Sequence, residues 1–301
     1  MSAYVVSATS LNLRRAPAID ATNVIAVLPH GQSVEALDQS NATFWQVQTS
    51  LRGQALRGYA AARYLTPQGT LPEPEPARAV TELHFPRNPG ARLDSLGFRH
   101  CPLAGDLVTR RDAGATSAFK VSALHAIART LDVERSERYQ PTTTATYCNI
   151  YAYDFCYFAA AYLPRVWWTA KALLGLARGE PQPVSYATTV RELNANGLYD
   201  WLSDFGDDFG WQPTFDLDEL QSRANRGGVG IISAQRQNLN RSGHIVCVLP
   251  EAEGHGAERT GGRVIAPLQS QAGATNKRYF ASDWWVQRAS EYRAVGFWYH
   301  A

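Results

Sequence analysis

Cys148 and His244 are the two residues in this chain whose types and surroundings suit covalent chemistry, and 96 positions separate them. Cys148 stands where a polar approach (Thr142, Thr143, Thr144, Thr146) meets a long apolar, aromatic run. A thiol in the first turn of a helix feels the partial positive charge of the N-terminus, which favours thiolate over thiol. The sequence therefore predicts an ionised sulfur. His244 follows Gly243 and opens a short alternating stretch, the pattern of a strand. A cysteine and a histidine far apart in sequence and joined by the fold are what thiol hydrolases use to attack amides. Such chemistry calls for no cofactor.

A working imidazole needs a polar partner that fixes its tautomer and orientation. Along residues 264–271, alternation puts Ile265, Pro267, Gln269 and Gln271 on one strand face, so either glutamine is a candidate. A hairpin folded symmetrically about its loop would set Gln269 opposite His244, with Gln271 beyond it, and Gln269 is favoured on that basis. The oxyanion of an attacked carbonyl would be met by the backbone N–H of Cys148 and by a second donor. Tyr147, Asn149 and Gln140 are all candidates for the second, and the sequence does not choose. Trp167, Trp168, Trp284 and Trp285 are candidates to line a substrate groove, with packing as the plainer reading.

The other reactive side chains have bland expectations. Cys156 and Cys247 read as core residues and His125 as a surface residue of a helix. His255 and His300 read as solvated, and Asp154 as the acceptor of a structural hydrogen bond inside a buried helix. Metal is not expected, because neither the Cys148/Cys156 spacing nor His244-x-x-Cys247 matches a zinc pattern.

The elements that must position the pair follow from periodicity. Residues 4–66 read as short strands (4–8, 24–28, 33–37, 44–48, 58–60) broken by Pro17, Pro29, Gly31, Gly53 and Gly58, a small β-barrel pattern with Phe44, Trp45 and Tyr59 in its core. Residues 67–76 are proline-rich and extended, and the domain boundary is set at 68–77. Residues 78–115 have weak periodicity and are expected to wrap the domain that follows. Helices are expected behind a Thr116/Ser117 cap (Leu124, Ile127, Ala128, Leu131 inward), from Cys148 to a stop at Pro164, over 191–205, and from Asp216 to Gly227-Gly228. Strands are expected at 229–234, 244–249, 264–268 and 294–299. Helices followed by a run of strands indicate an α+β domain with a mostly antiparallel sheet.

At 301 residues the chain can hold two domains with separate cores. A net charge of +2 on 29 basic and 27 acidic residues gives no reason to expect nucleic acid as partner. Four cysteines in so large a chain suggest free thiols. The start carries no basic, apolar pattern of a signal peptide, and the most apolar run, 150–163, falls short of the roughly 20 residues that span a bilayer.

Two resemblances extend this reading. Leu11-Asn12-Leu13-Arg14 before Ala16-Pro17, Val24-Ile25, Leu28, His30-Gly31, Val34, Trp45-Gln46-Val47, Gly58-Tyr59 and Tyr64-Leu65 resemble the bacterial SH3-like (SH3b) domain, with Tyr59 where that family usually has Trp. Tyr147-Cys148-Asn149, Gly228-Val229-Gly230-Ile231-Ile232 and Gly243-His244-Ile245-Val246 resemble the papain-like CHAP and NlpC-type cysteine peptidases and amidases. Those families usually begin the strand before the histidine with Gly-Asp, and more often carry Glu, Asp, Asn or His as third group. The resemblance implies an SH3-like module at 1–67 and a papain-like domain at 78–301, its central helix packed on the sheet. It implies a peptidoglycan stem peptide or another peptide as substrate, cut at an amide bond, in a phage lysis enzyme or an antibacterial effector. Such a protein is made in the cytoplasm and acts at the wall or in the periplasm after lysis or specialised secretion. An effector would call for an immunity protein and a secretion-machine partner. The rival expectations are a papain-like protease or toxin acting on a protein, and a catalytically silent binding module.

Overall fold

The computed structural model describes residues 2–8, 10–18, 23–51, 53–68, 81–84, 103 and 109–301. Most of the proline-rich connector and most of 78–115, Cys101 included, lie outside the described residues. The chain divides into two compact units: Met1–Ala77, with which Ser203–Phe205 group, and Arg78–Leu202 with Gly206–Ala301.

In the first unit the strands are β1 (Ser2–Val6), β2 (Ser10–Arg14), β3 (Val24–Pro29), β4 (Ser33–Asp38), β5 (Phe44–Leu51), β6 (Gln54–Ala61) and β7 (Leu65–Pro67). They form one sheet in the order β3-β2-β6-β5-β4-β1-β7. Alternation buries Val6, Leu11, Leu13, Leu28, Val34, Val47, Ala60 and Leu65 together. Phe44 is buried, and Trp45 packs edge-on against Tyr4 at 4.9 Å. The barrel expected from the sequence does not close among the described residues: β3 and β7 are the outermost strands. Gly58, expected to open a strand at 58–60, lies inside β6. A Cβ there would stand 2.5 Å from the carbonyl oxygen of Arg14, so its absence lets β2 approach.

The second unit begins with α1 (Ser117–Leu131), α2 (Cys148–Phe158), β8 (Val166–Trp168), α3 (Ala170–Ala177), β9 (Val190–Glu192) and α4 (Ala195–Asp204). It continues with β10 (Trp211–Thr214), α5 (Leu217–Asn225), β11 (Val229–Arg236), β12 (His244–Val248), β13 (Glu258–Thr260) and β14 (Arg263–Ala266). The last elements are β15 (Leu268–Gln271), β16 (Lys277–Ala281), α6 (Trp284–Gln287) and β17 (Tyr292–His300). The main sheet is antiparallel throughout, in the order β10-β17-β11-β12-β15-β16. One face buries Ile232, Ala234, Val246 and Val248 with Leu220 and Ala224 of α5 and with Trp284, Trp285, Tyr292 and Tyr299. The other face receives α2, with Cys156 against Cys247 and the Tyr151 hydroxyl 2.6 Å from that of Ser270.

Nine of the eleven residues of α2 are buried, which its nearly all-round apolar sequence requires. The helix stops at Phe158, short of the stop expected at Pro164. Ala160 turns left-handed (φ +53°), and the N–H groups of Ala160 and Ala161 bond back to the carbonyls of Tyr157 and Cys156. That double bond pattern satisfies the helix end before the proline is reached. Asp154, fully enclosed in α2, accepts two hydrogen bonds from buried Arg138 (2.7 and 3.1 Å) and one from the Tyr139 hydroxyl (2.9 Å). Leu83 and Leu103 from the 78–115 region are buried, and the backbone of Leu83 bonds both ways with the Tyr162 hydroxyl. His125 corrects the surface expectation: it is 8% exposed, with its ring near Tyr279. His300 is also half-buried, edge-on to Trp211, because β17 runs one residue past the expected strand.

Candidate functional site

Cys148 is the first residue of α2 and is 1% exposed. Its sulfur is met by the backbone N–H groups of Ile245, Asn149 and Cys148 itself, all of which favour thiolate. Burial opposes them and is the larger effect, so the thiol is pushed up from its ordinary value. The thiolate expected from helix position alone is corrected here. Helix N-termini lower a thiol that water also reaches, and this sulfur has lost its water. Arg165, itself buried and paired with Glu192, adds a favourable charge nearby.

His244 opens β12 and is half-buried. Its Nε2 lies 2.7 Å from Gln271 Oε1. The orientation of that amide is fixed by its other end, where Gln271 Nε2 donates to the carbonyl of Thr275 at 3.0 Å. A carbonyl can only accept, so Oε1 faces the ring and Nε2 of His244 must carry the proton. Nδ1 is then the basic nitrogen. Burial depresses the imidazole to about 4; Gln271 offsets part of this, while Arg236 and Arg288 add to it. At neutral pH the resting site thus holds a thiol and a neutral imidazole.

The sulfur bonds to backbone N–H groups and the imidazole to Gln271, on the two sides of β12. Alternation puts His244 with Val246, Val248 and Trp284, while Ile245 and Cys247 face α2. The link between the two sides is the N–H of Ile245, the residue after His244, which reaches the sulfur. Tyr292, at the start of β17, lies close enough to the sulfur for its phenol to be pushed up in part by it.

Gln269 is not the imidazole's partner. Strands β12 and β15 pair Cys247 with Ser270 and Val248 with Gln269, a register that continues to Gly273 opposite His244. The chain between the strands is not a symmetric loop: it contains the β13–β14 hairpin, which takes up residues expected to form one strand at 264–268. Gln269 instead accepts from Trp284 Nε1 (2.9 Å) and donates to the carbonyls of Pro267 and Ser282. Through that bond it holds Trp284, whose ring meets His244 edge-on at 4.8 Å.

The remaining candidates are scattered. Gln140 donates to the carbonyls of Glu134 and Ser136, so its amide N–H groups are already engaged. The Asn149 side chain donates to the carbonyl of Leu193 at 2.9 Å, leaving its backbone N–H on the sulfur. Tyr147 precedes the helix, half-buried, and its carbonyl accepts from Ile150 and Tyr151. Trp167 is packed among Tyr162, Trp201 and Phe209, while Trp168 is half-buried in the same short strand. Trp285 packs on Trp284 and Phe297 in the core. Of the four tryptophans, Trp284 is the one at the imidazole. Arg165 and Tyr292 near the sulfur, and Arg236 and Arg288 near the imidazole, carry no spacing signal in the sequence. Among the described residues, no three His, Cys, Asp or Glu side chains gather as metal ligands, and no helix is long and apolar enough to cross a membrane.

No protein-family model matches the chain, and no curated protein matches it. Among solved structures it is similar to NlpC1 from Trichomonas vaginalis, with 10% identity and a TM-score of 0.25 over 97% of this chain and 66% of that one. NlpC2 from the same organism gives 11% identity and a TM-score of 0.18 over 94% and 71%. The chain thus spans slightly less than two thirds of NlpC1.

Proposed function

We propose that the second unit is a papain-like thiol hydrolase that cuts an amide bond in the peptide stem of peptidoglycan, and that the first unit is an SH3-like module tethering it to the wall. The observation that carries the chemistry is the imidazole of His244, held by Gln271 in the Nδ1-basic tautomer next to the residue that touches the Cys148 sulfur. Because the resting pair is neutral, attack and proton transfer go together: the Sγ–H proton passes to Nδ1 as sulfur bonds to the carbonyl carbon. The oxyanion meets the Cys148 N–H at the helix start. Collapse breaks the C–N bond, and Nδ1–H gives its proton to the departing amine. Water, deprotonated by Nδ1, then attacks the thioester, and the sulfur leaves as thiol.

Mass spectrometry of muropeptides after digestion of purified wall, with native protein and with Cys148→Ala, tests this reading. New amide-cleaved fragments from the native protein alone support it. Identical fragments from both would remove Cys148 from the chemistry, and cleavage of protein substrates with an intact wall would point to a protease instead.

A further inference from the structure

We propose that Asn196 is a positioning residue for the Cys148/His244 pair, acting through the loop that delivers His244; this rests on the thiol-hydrolase reading above. The residues from Leu193 to Asn196 bind both halves of the site. On the cysteine side, the carbonyl of Leu193 accepts from the Asn149 side chain at 2.9 Å and from Arg165 Nη1 at 3.3 Å. Asn149 is the residue after the nucleophile, and Arg165 is a buried cation that favours its thiolate form.

On the histidine side, buried Asn196 uses its whole amide. Oδ1 accepts the N–H of Arg236 at 3.0 Å, where β11 ends. Nδ2 donates to the carbonyls of Leu239 (3.3 Å) and Arg241 (2.8 Å), inside the connection to β12. One side chain therefore ties both limbs of the loop that ends at Gly243-His244. The loop is drawn so close that a Cβ on Gly243 would stand 2.6 Å from Asn196 Oδ1 and 2.2 Å from the Ala234 carbonyl. Neighbouring bonds add to the clamp: Ser233 Oγ to the Ala195 carbonyl at 3.4 Å, and Gln235 Nε2 to the Asn196 carbonyl at 3.3 Å. The start of α4 thus bonds both to the residue after Cys148 and to the loop that leads into His244.

A double-mutant cycle read on the native chain tests this, with iodoacetamide as probe and the Cys148 peptide quantified by mass spectrometry. Asn196→Ala should slow alkylation of Cys148 by about 10- to 100-fold, since a displacement of roughly 1 Å costs on that order. In a His244→Ala background the same change should have no further effect beyond about twofold, the limit of ordinary additivity. A residue that merely supports the fold would give the same loss in both backgrounds, and that result would overturn the proposal, as would no loss in either. If His244→Ala alone leaves alkylation unchanged, the thiol-hydrolase reading fails and this inference with it. Should Asn196→Ala not fold, the isosteric Asn196→Asp, which keeps the acceptor for Arg236 and removes the two donors, enters the same cycle.

Discussion

Gln271 Oε1 lies 2.7 Å from His244 Nε2, and the second end of the same amide is spent on the Thr275 carbonyl, so the neutral ring carries its proton on Nε2 and leaves Nδ1 free. Gln271→Ala should lower kcat/KM on wall substrate by about 10- to 100-fold, the scale of a mis-set general base. Gln269→Ala should act differently, releasing Trp284 and lowering thermal stability as well as activity. Steady-state kinetics together with melting curves separate the two.

The depressed imidazole makes a pH prediction with a definite sign. His244 takes up a proton near pH 4 when folded and near 6.5 when unfolded, so between those values the unfolded chain binds more protons. The contribution of His244 to stability is therefore full above about pH 6.5 and is lost as pH drops towards 4. Allowing for the residue's partial exposure, His244 accounts for roughly 2 kcal/mol of lost stability. Urea unfolding at pH 7 and pH 4.5 should show a smaller drop for His244→Gln than for the native chain. His125 and His300 are lowered by burial too and should supply the remainder.

The same depression bears on activity. Since Nδ1 must be free to accept a proton, the acid limb of kcat/KM should lie near pH 4 and not near 6.5. A pH profile with an acid limb above pH 6 would show that the ring is more open to water than this site allows.

Arg138 and Asp154 of α2 form a buried pair, exposed by 0% and 1%. Arg138→Met leaves a carboxylate without its main partner and should cost about 3–5 kcal/mol, whereas Arg138→Met with Asp154→Leu should recover much of it. Denaturant titration of the single and double variants measures both.

Gly243→Ala should cost about 1–3 kcal/mol, because the added methyl collides with the Ala234 carbonyl and Asn196 Oδ1. Activity should fall further than stability, since the collision lies one residue before His244. Comparing the fraction folded with the specific activity at one temperature checks this.

How much of this was legible in the sequence depended on whether the signal was local. The start of α2 at Cys148 and the strand at His244 stand in the alternation and apolar runs themselves. The choice between Gln269 and Gln271 did not, because register depends on the β13–β14 hairpin inserted between two strands, and a strand's face says nothing about its stagger. The charge state of the sulfur was likewise hidden: helix position is written in the sequence, burial is a property of the packed whole. Asn196 left no trace at all, since an asparagine at a helix start is ordinary until its loop is seen closing over it.

The open sheet of the first unit leaves two rows of backbone groups at its margins, and such margins invite a foreign strand. Here β3 finishes on Pro29 and β7 on Pro67, and proline brings no N–H to offer. Each margin is thus blunted at its last residue, a built-in discouragement to edge-to-edge pairing of neighbouring molecules.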